Sequence, residues 1–102
     1  MKSVIYPIAE IKEKLYPVFA SLPVYKAVLF GSYAKGLATE KSDVDIYVDS
    51  RGELKGLNFY GALEDIVDKL QKSVDLFEAS EIRQGSPIEN EITNQGVILF
   101  ER

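Results

Sequence analysis

Residues 30–48 read FGSYAKGLATEKSDVDIYV, and the fold turns on how this stretch is read. The pair Gly31 and Ser32 follows one apolar run, and two aspartates one residue apart, Asp43 and Asp45, open a second. Strand side chains alternate faces, so Asp43 and Asp45 project one way while Val44, Ile46 and Val48 project the other way, into a core. Carboxylates two strand positions apart, about 7 Å at the backbone, can converge on a shared ion. Bare, at roughly 4 Å, they repel by on the order of 4 kcal/mol at an effective dielectric near 20, and a divalent cation removes that penalty. If residues 26–30 and 43–48 are neighbouring strands, the Gly-Ser turn and the aspartates meet at one sheet edge. That juxtaposition is a site for a metal-bound phosphate.

Oxygen-only ligands select hard ions, and magnesium takes one or two protein carboxylates and completes its shell with water and substrate phosphate. Gly31 allows a tight turn, the N–H groups after it can open a short helix toward a phosphate, and Ser32 adds a hydroxyl donor. Either half alone is ordinary. A Gly-Ser after a strand is most often a plain turn, and Asp-x-Asp is most often a solvated strand edge. The functional reading comes from their order: strand, Gly-Ser, short helix, Asp-x-Asp strand.

Working outward, Ile8, Ile11, Leu15, Val18 and Leu22 fall on one face of a helix over 8–22 that Pro17 is expected to kink or split. Residues 26–30 read as a buried strand, 33–36 as a helical turn and 37–41 as a polar loop. Asp49 shares a face with Asp45 but lies about 13 Å along the strand, too far to share an ion, and reads as a solvated strand end. After an exposed connection over 49–55, a helix over 57–72 is expected to bury Leu57, Tyr60, Leu63, Val67 and Leu70, with Lys69 and Lys72 complementing its dipole. Residues 73–78 alternate again, Val74 and Leu76 against Ser73, Asp75 and Phe77. On spacing alone Asp75 is an edge residue. Ser86-Pro87-Ile88-Glu89 forms a capping box, Gly96 ends that helix, and 97–100 is a last strand. The order predicts one α/β domain over 1–102, a small mixed β-sheet with helices packed against it.

The 102 residues suffice for one core, and 27% charged residues is ordinary for a soluble globule. With no secretory segment and no apolar run of bilayer length, the expected location is the cytoplasm, with no membrane contact. The absence of cysteine and histidine excludes disulfides, thiol catalysis and imidazole bases, leaving carboxylate or metal to activate a nucleophile. A net charge of −4 argues against an extended nucleic acid as partner.

The segment GSYAKGLATEKSDVDIYV resembles the signature of the DNA polymerase β nucleotidyltransferase superfamily, specifically its minimal MNT-type members. The similarity extends over nearly the whole chain, including VDLFEAS and IENEITNQGVILFER. The resemblance implies that Gly31 and Ser32 hold nucleotide phosphates and that Asp43, Asp45 and Asp75, the last on a later strand, bind two Mg²⁺ ions. Lys35 stands where relatives often carry an arginine, with a phosphate role implied. The implied reaction is in-line attack of a hydroxyl on the α-phosphorus of ATP, Asp75 taking or orienting the proton. MNT-type proteins are commonly paired with a HEPN-family toxin, which the antitoxin adenylylates on tyrosine. That is the first reading; a non-catalytic module that neutralises its partner by occlusion, and a small-molecule nucleotidyltransferase of the antibiotic-modifying type, are the alternatives.

Overall fold

The computed structural model describes residues 4–102. Helix α1, Ile8–Ala20, leads to strand β1, Lys26–Phe30; α2, Gly31–Lys35, is a single short turn before β2, Val44–Asp49. Helix α3, Leu57–Leu70, connects to β3, Val74–Glu78, and α4, Pro87–Gln95, leads into β4, Val97–Glu101. The strands form one mixed sheet in the order β3-β2-β1-β4, with β1 antiparallel to both β2 and β4, and β2 parallel to β3. A parallel pair needs a crossover, and α3 supplies it.

One face of the sheet carries the main core. Val44, Ile46 and Val48, the apolar half of the β2 alternation, join Ala27, Leu29 and Leu99 against Ile11, Leu15 and Phe19 of α1 and Ile66 and Leu70 of α3. Each Val, Leu, Ile or Phe among them contributes roughly 1.5–3 kcal/mol when fully buried. Helix α4 crosses the opposite face, beside β1. No helix among the described residues is long and apolar enough to cross a membrane.

Three local expectations need correcting. Helix α1 runs through Pro17 without the split, one of the two outcomes expected there, and it ends at Ala20 instead of 22. Pro17 and Glu13, whose carbonyl loses its hydrogen bond, are both exposed, so water can satisfy the freed group. Its C-terminal carbonyls are met by Arg102, whose guanidinium donates to Phe19, Ala20 and Leu22 at 2.9–3.2 Å. In α3 the buried stripe is Ala62, Ile66 and Leu70, while Leu57 is 89% and Tyr60 64% exposed. Apolar side chains cover more than one stripe of this helix, and packing against α1 and β3 selects the stripe that periodicity alone leaves ambiguous. Lys72 lies beyond the end of α3, after Gln71 in the left-handed region, and is buried instead of lying along the helix dipole.

The start of α4 follows expectation in one half: Ser86 Oγ accepts from Glu89 N at 3.2 Å, but Glu89 Oε1 accepts from Gly85 N at 2.8 Å, one residue before the cap, while Ser86 N donates to the Arg83 carbonyl. Gly96 does end the helix, though not through a left-handed turn, since its φ is −70°. A Cβ there would lie 2.3 Å from the Ile92 carbonyl oxygen and 2.5 Å from Val28 Cγ1, so glycine is what lets α4 sit close on β1.

Candidate active site

Strand register brings the candidate residues together. Phe30, the last residue of β1, pairs with Asp45 of β2, and Asp45 in turn pairs with Asp75 of β3. Gly31, starting α2, therefore falls at the same sheet end as both aspartates. Its φ is +73°, and a Cβ built on it would stand 2.1 Å from Asp45 Oδ2. Glycine is required on both counts: the turn needs positive φ, and the carboxylate occupies the space of a side chain. Ser32 is half-buried and its carbonyl accepts from Leu37 N at 2.9 Å, closing the end of α2.

Asp45 is half-buried; Asp43, one residue before β2, and Asp75 are exposed. Burial, then the charge of Asp75 and a hydrogen bond shared with it, then Asp43 and Glu91, push the Asp45 carboxyl up to about 6. Such an acid is crowded by like charge and short of cations. Among the described residues no three carboxylates stand together at metal-ligating spacing. What register brings together is the pair Asp45 and Asp75, with Asp43 close enough to act on Asp45 electrostatically. An all-oxygen pair whose charges repel fits a hard divalent ion.

Lys35, at the end of α2, is ion-paired with Glu91 of α4. Glu91 thus faces both the candidate phosphate lysine and Asp45, a placement that the sequence does not signal because it depends on how α4 is seated on the sheet. Beyond Asp45 on this face lies a cleft of about 360 Å³ between sheet and α4, lined by Val28, Tyr47, Ile92 and Ile98 with Lys26 and Glu89. Asp49 ends β2 at the far end from Asp45, as expected, but it is half-buried rather than fully solvated, and its Oδ1 accepts from Arg51 N at 3.0 Å.

A further carboxylate, Glu78, escaped the sequence reading. It ends β3 and is 3% exposed. Oε2 accepts from Ser50 N at 3.0 Å and Ser50 Oγ at 2.8 Å, and Oε1 from Ser80 N at 2.8 Å. Ser50 Oγ in turn accepts from Leu54 N at 3.0 Å, so the network fixes the connection into α3. Burial favours the neutral acid, but the hydrogen bonds from Ser80 and Ser50 outweigh it and hold Glu78 at about 2.

A strand that runs into Gly-Ser, and a neighbouring strand entered through Asp43 and carrying Asp45 beside Asp75, match the nucleotidyltransferase core that the sequence resemblance implies. Residues 13–102 match the family "Polymerase beta, Nucleotidyltransferase", and the chain belongs to it. A Methanocaldococcus jannaschii relative, named as a protein adenylyltransferase, is 38% identical over 76 residues, covering 74% of this chain and 81% of that protein. The fold is shared with a chain from a toxin–antitoxin crystal structure with AMP-PNP, at TM-score 0.73, 22% identity, and coverage of 89% of this chain and 73% of that one. It is shared also with a chain of the tri-AMPylated Shewanella oneidensis HEPN toxin in complex with MNT antitoxin, at TM-score 0.67, 19% identity, and coverage of 93% and 73%.

Proposed function

We propose that this chain is an MNT-type antitoxin that transfers AMP from ATP to a hydroxyl, a tyrosine, of a HEPN-family toxin. The observation that carries this is the register of Asp45 against Asp75, with Gly31 held against the Asp45 carboxylate. Support comes from the M. jannaschii relative named for protein adenylylation and from the HEPN–MNT complex with the same fold.

Gly31 and Ser32 bind the nucleotide phosphates at the start of α2, and Lys35 supplies positive charge on leaving Glu91. Asp43, Asp45 and Asp75 would hold two Mg²⁺ ions, which when bound neutralise charge on the phosphates and lower the pKa of a coordinated hydroxyl. The acceptor oxygen forms a bond to the α-phosphorus as the bond to the pyrophosphate oxygen breaks, and Asp75 takes the hydroxyl proton. Asp75 is the exposed member of the pair, where an incoming protein group can reach it. A docked partner supplies both nucleophile and orientation, which makes attack effectively unimolecular. The residues of 1–102 act as one minimal nucleotidyltransferase domain, working in the cytoplasm without an extended nucleic acid.

The test is to mix the protein with its HEPN-type partner, ATP and Mg²⁺ and to weigh both chains. AMP additions on the partner, absent in EDTA, are expected. A partner left unmodified yet neutralised equally by wild type and Asp75→Asn overturns transfer and leaves occlusion.

A further inference from the structure

A buried lysine ties together the three segments that carry the candidate site. Lys72 is 3% exposed, and its Nζ donates to the carbonyl of Val4 at 2.7 Å and to that of Glu40 at 3.1 Å. It also lies 6.0 Å from the centre of the Tyr33 ring. An ammonium removed from water is costly unless fully solvated by the protein, and packing alone is served better by an apolar residue of similar length. What lysine adds here is donors to carbonyls 68 and 32 residues away in the chain.

Two of its contacts fall beside site residues, and the third, the Val4 carbonyl, also accepts from Tyr33 Oη at 3.5 Å. Tyr33 follows Ser32 in α2, Glu40 lies three residues before Asp43, and Lys72 itself lies three residues before Asp75. The loop over 37–43 is otherwise bonded locally among the described residues: Leu37 N to Ser32 O, and a turn closed by Thr39 and Ser42. Ala38 packs on the core, and the Glu40 carbonyl gives this loop its long-range hydrogen bond to the body of the domain, next to the start of the β2–β3 ladder at Val44 N and Ser73 O, 3.0 Å apart. We infer that Lys72 is a positioning residue that sets the phosphate turn, the Asp43 loop and the Asp75 strand relative to one another, and so sets affinity for the magnesium nucleotide. The statement rests on the nucleotidyltransferase reading above.

Lys72→Met removes charge and donors at nearly constant length, and Lys72→Arg keeps both. For each, Mg²⁺-ATP binding is measured by calorimetry and amide hydrogen exchange by mass spectrometry. Lys72→Met loses both charged hydrogen bonds, so binding must bear the cost of ordering the loop; it should weaken Mg²⁺-ATP by about tenfold or more and accelerate exchange over 37–43 far more than in α1 or β1. Lys72→Arg should recover most of both. Unchanged loop exchange, unchanged affinity, or acceleration spread evenly over α1 and β1 overturns the inference, the last by making Lys72 a support of the whole fold. Should Lys72→Met fail to fold, Lys72→Gln, which retains a neutral donor, carries the same comparison. Wild type that binds no Mg²⁺-ATP sinks the proposed function, whereas the exchange comparison still decides what Lys72 holds.

Discussion

Strand β3 carries two acids three residues apart, and the protein treats them oppositely. Asp75 stands across from Asp45 at one end of the sheet, where burial and neighbouring carboxylates push Asp45 up to about 6. Glu78 stands at the other end, where burial is outweighed by hydrogen bonds from Ser80 and Ser50 that hold it at about 2. The first site has charge without compensation; the second has compensation for every oxygen. A carboxylate saturated by donors of its own fold is part of the structure, and one set against its own kind carries a repulsion that the proposed magnesium would relieve.

The comparison breaks most sharply under neutralisation of the crowded end. Asp75→Asn should reduce AMP transfer by on the order of 10²–10⁴-fold, the range for loss of an acid–base group, and Asp45→Asn, which removes a proposed magnesium ligand, should reduce it at least as far, both with circular dichroism unchanged. Unfolding of either variant makes that end structural as well, and the contrast disappears. Gly31→Ala attacks the same end from the backbone. Its Cβ would drive into Asp45 Oδ2 from a conformation with φ +73°, so activity and roughly 1–3 kcal/mol of stability should fall together.

At the saturated end the loss should be of stability alone. Glu78→Gln should cost roughly 1–3 kcal/mol, because a buried charged acceptor of several N–H and O–H groups becomes a neutral amide with donors of its own. Transfer per folded molecule should stay at the wild-type level. The sign with pH is fixed: a depressed carboxyl gives stability that is complete above the unfolded value near 4.5 and is lost as pH falls toward 2. Urea midpoints taken down that window should decline in wild type and change less in Glu78→Gln.

The two ends also differ in how much of them the sequence displays. The β2 alternation and the glycine before Ser32 are local patterns with a fixed period, and they put Asp45 and Gly31 in place. Asp75 looks like an edge residue until a parallel register, set by the α3 crossover, lays it beside Asp45. Glu78 and Lys72 gain their meaning only from partners distant in sequence, Ser50, Val4 and Glu40, and no period reports such contacts. The stripe of α3 fails for a related reason: apolar residues on adjoining faces leave its rotation to be chosen by α1 and β3. Gly96 shows a correct boundary with another cause, close packing on Val28 in place of a left-handed cap.

The smallest expected effect is also the one that separates the two ends by sign. A carboxyl raised to about 6 from 3.8 binds its proton more tightly folded than unfolded, so its contribution to stability grows as pH falls from 6 toward 3.8. Glu78 works in the other direction below 4.5, so the two contributions oppose each other where the windows meet. In metal-free protein at neutral pH, Asp45→Asn removes a repulsive charge and should raise the thermal midpoint by a few degrees, the shift that about 1 kcal/mol or less produces in a domain of this length. The gain should shrink as pH falls through 6, since wild type then sheds the same charge by protonation. Added Mg²⁺ should reverse the ranking, stabilising wild type by mass action and leaving Asp45→Asn behind. Melting curves at neutral pH and near pH 5, each with and without Mg²⁺, test all of this at once. An Asn variant less stable than wild type in EDTA at neutral pH would mean that Asp45 is as well compensated as Glu78, and that the two ends of β3 do not differ in kind.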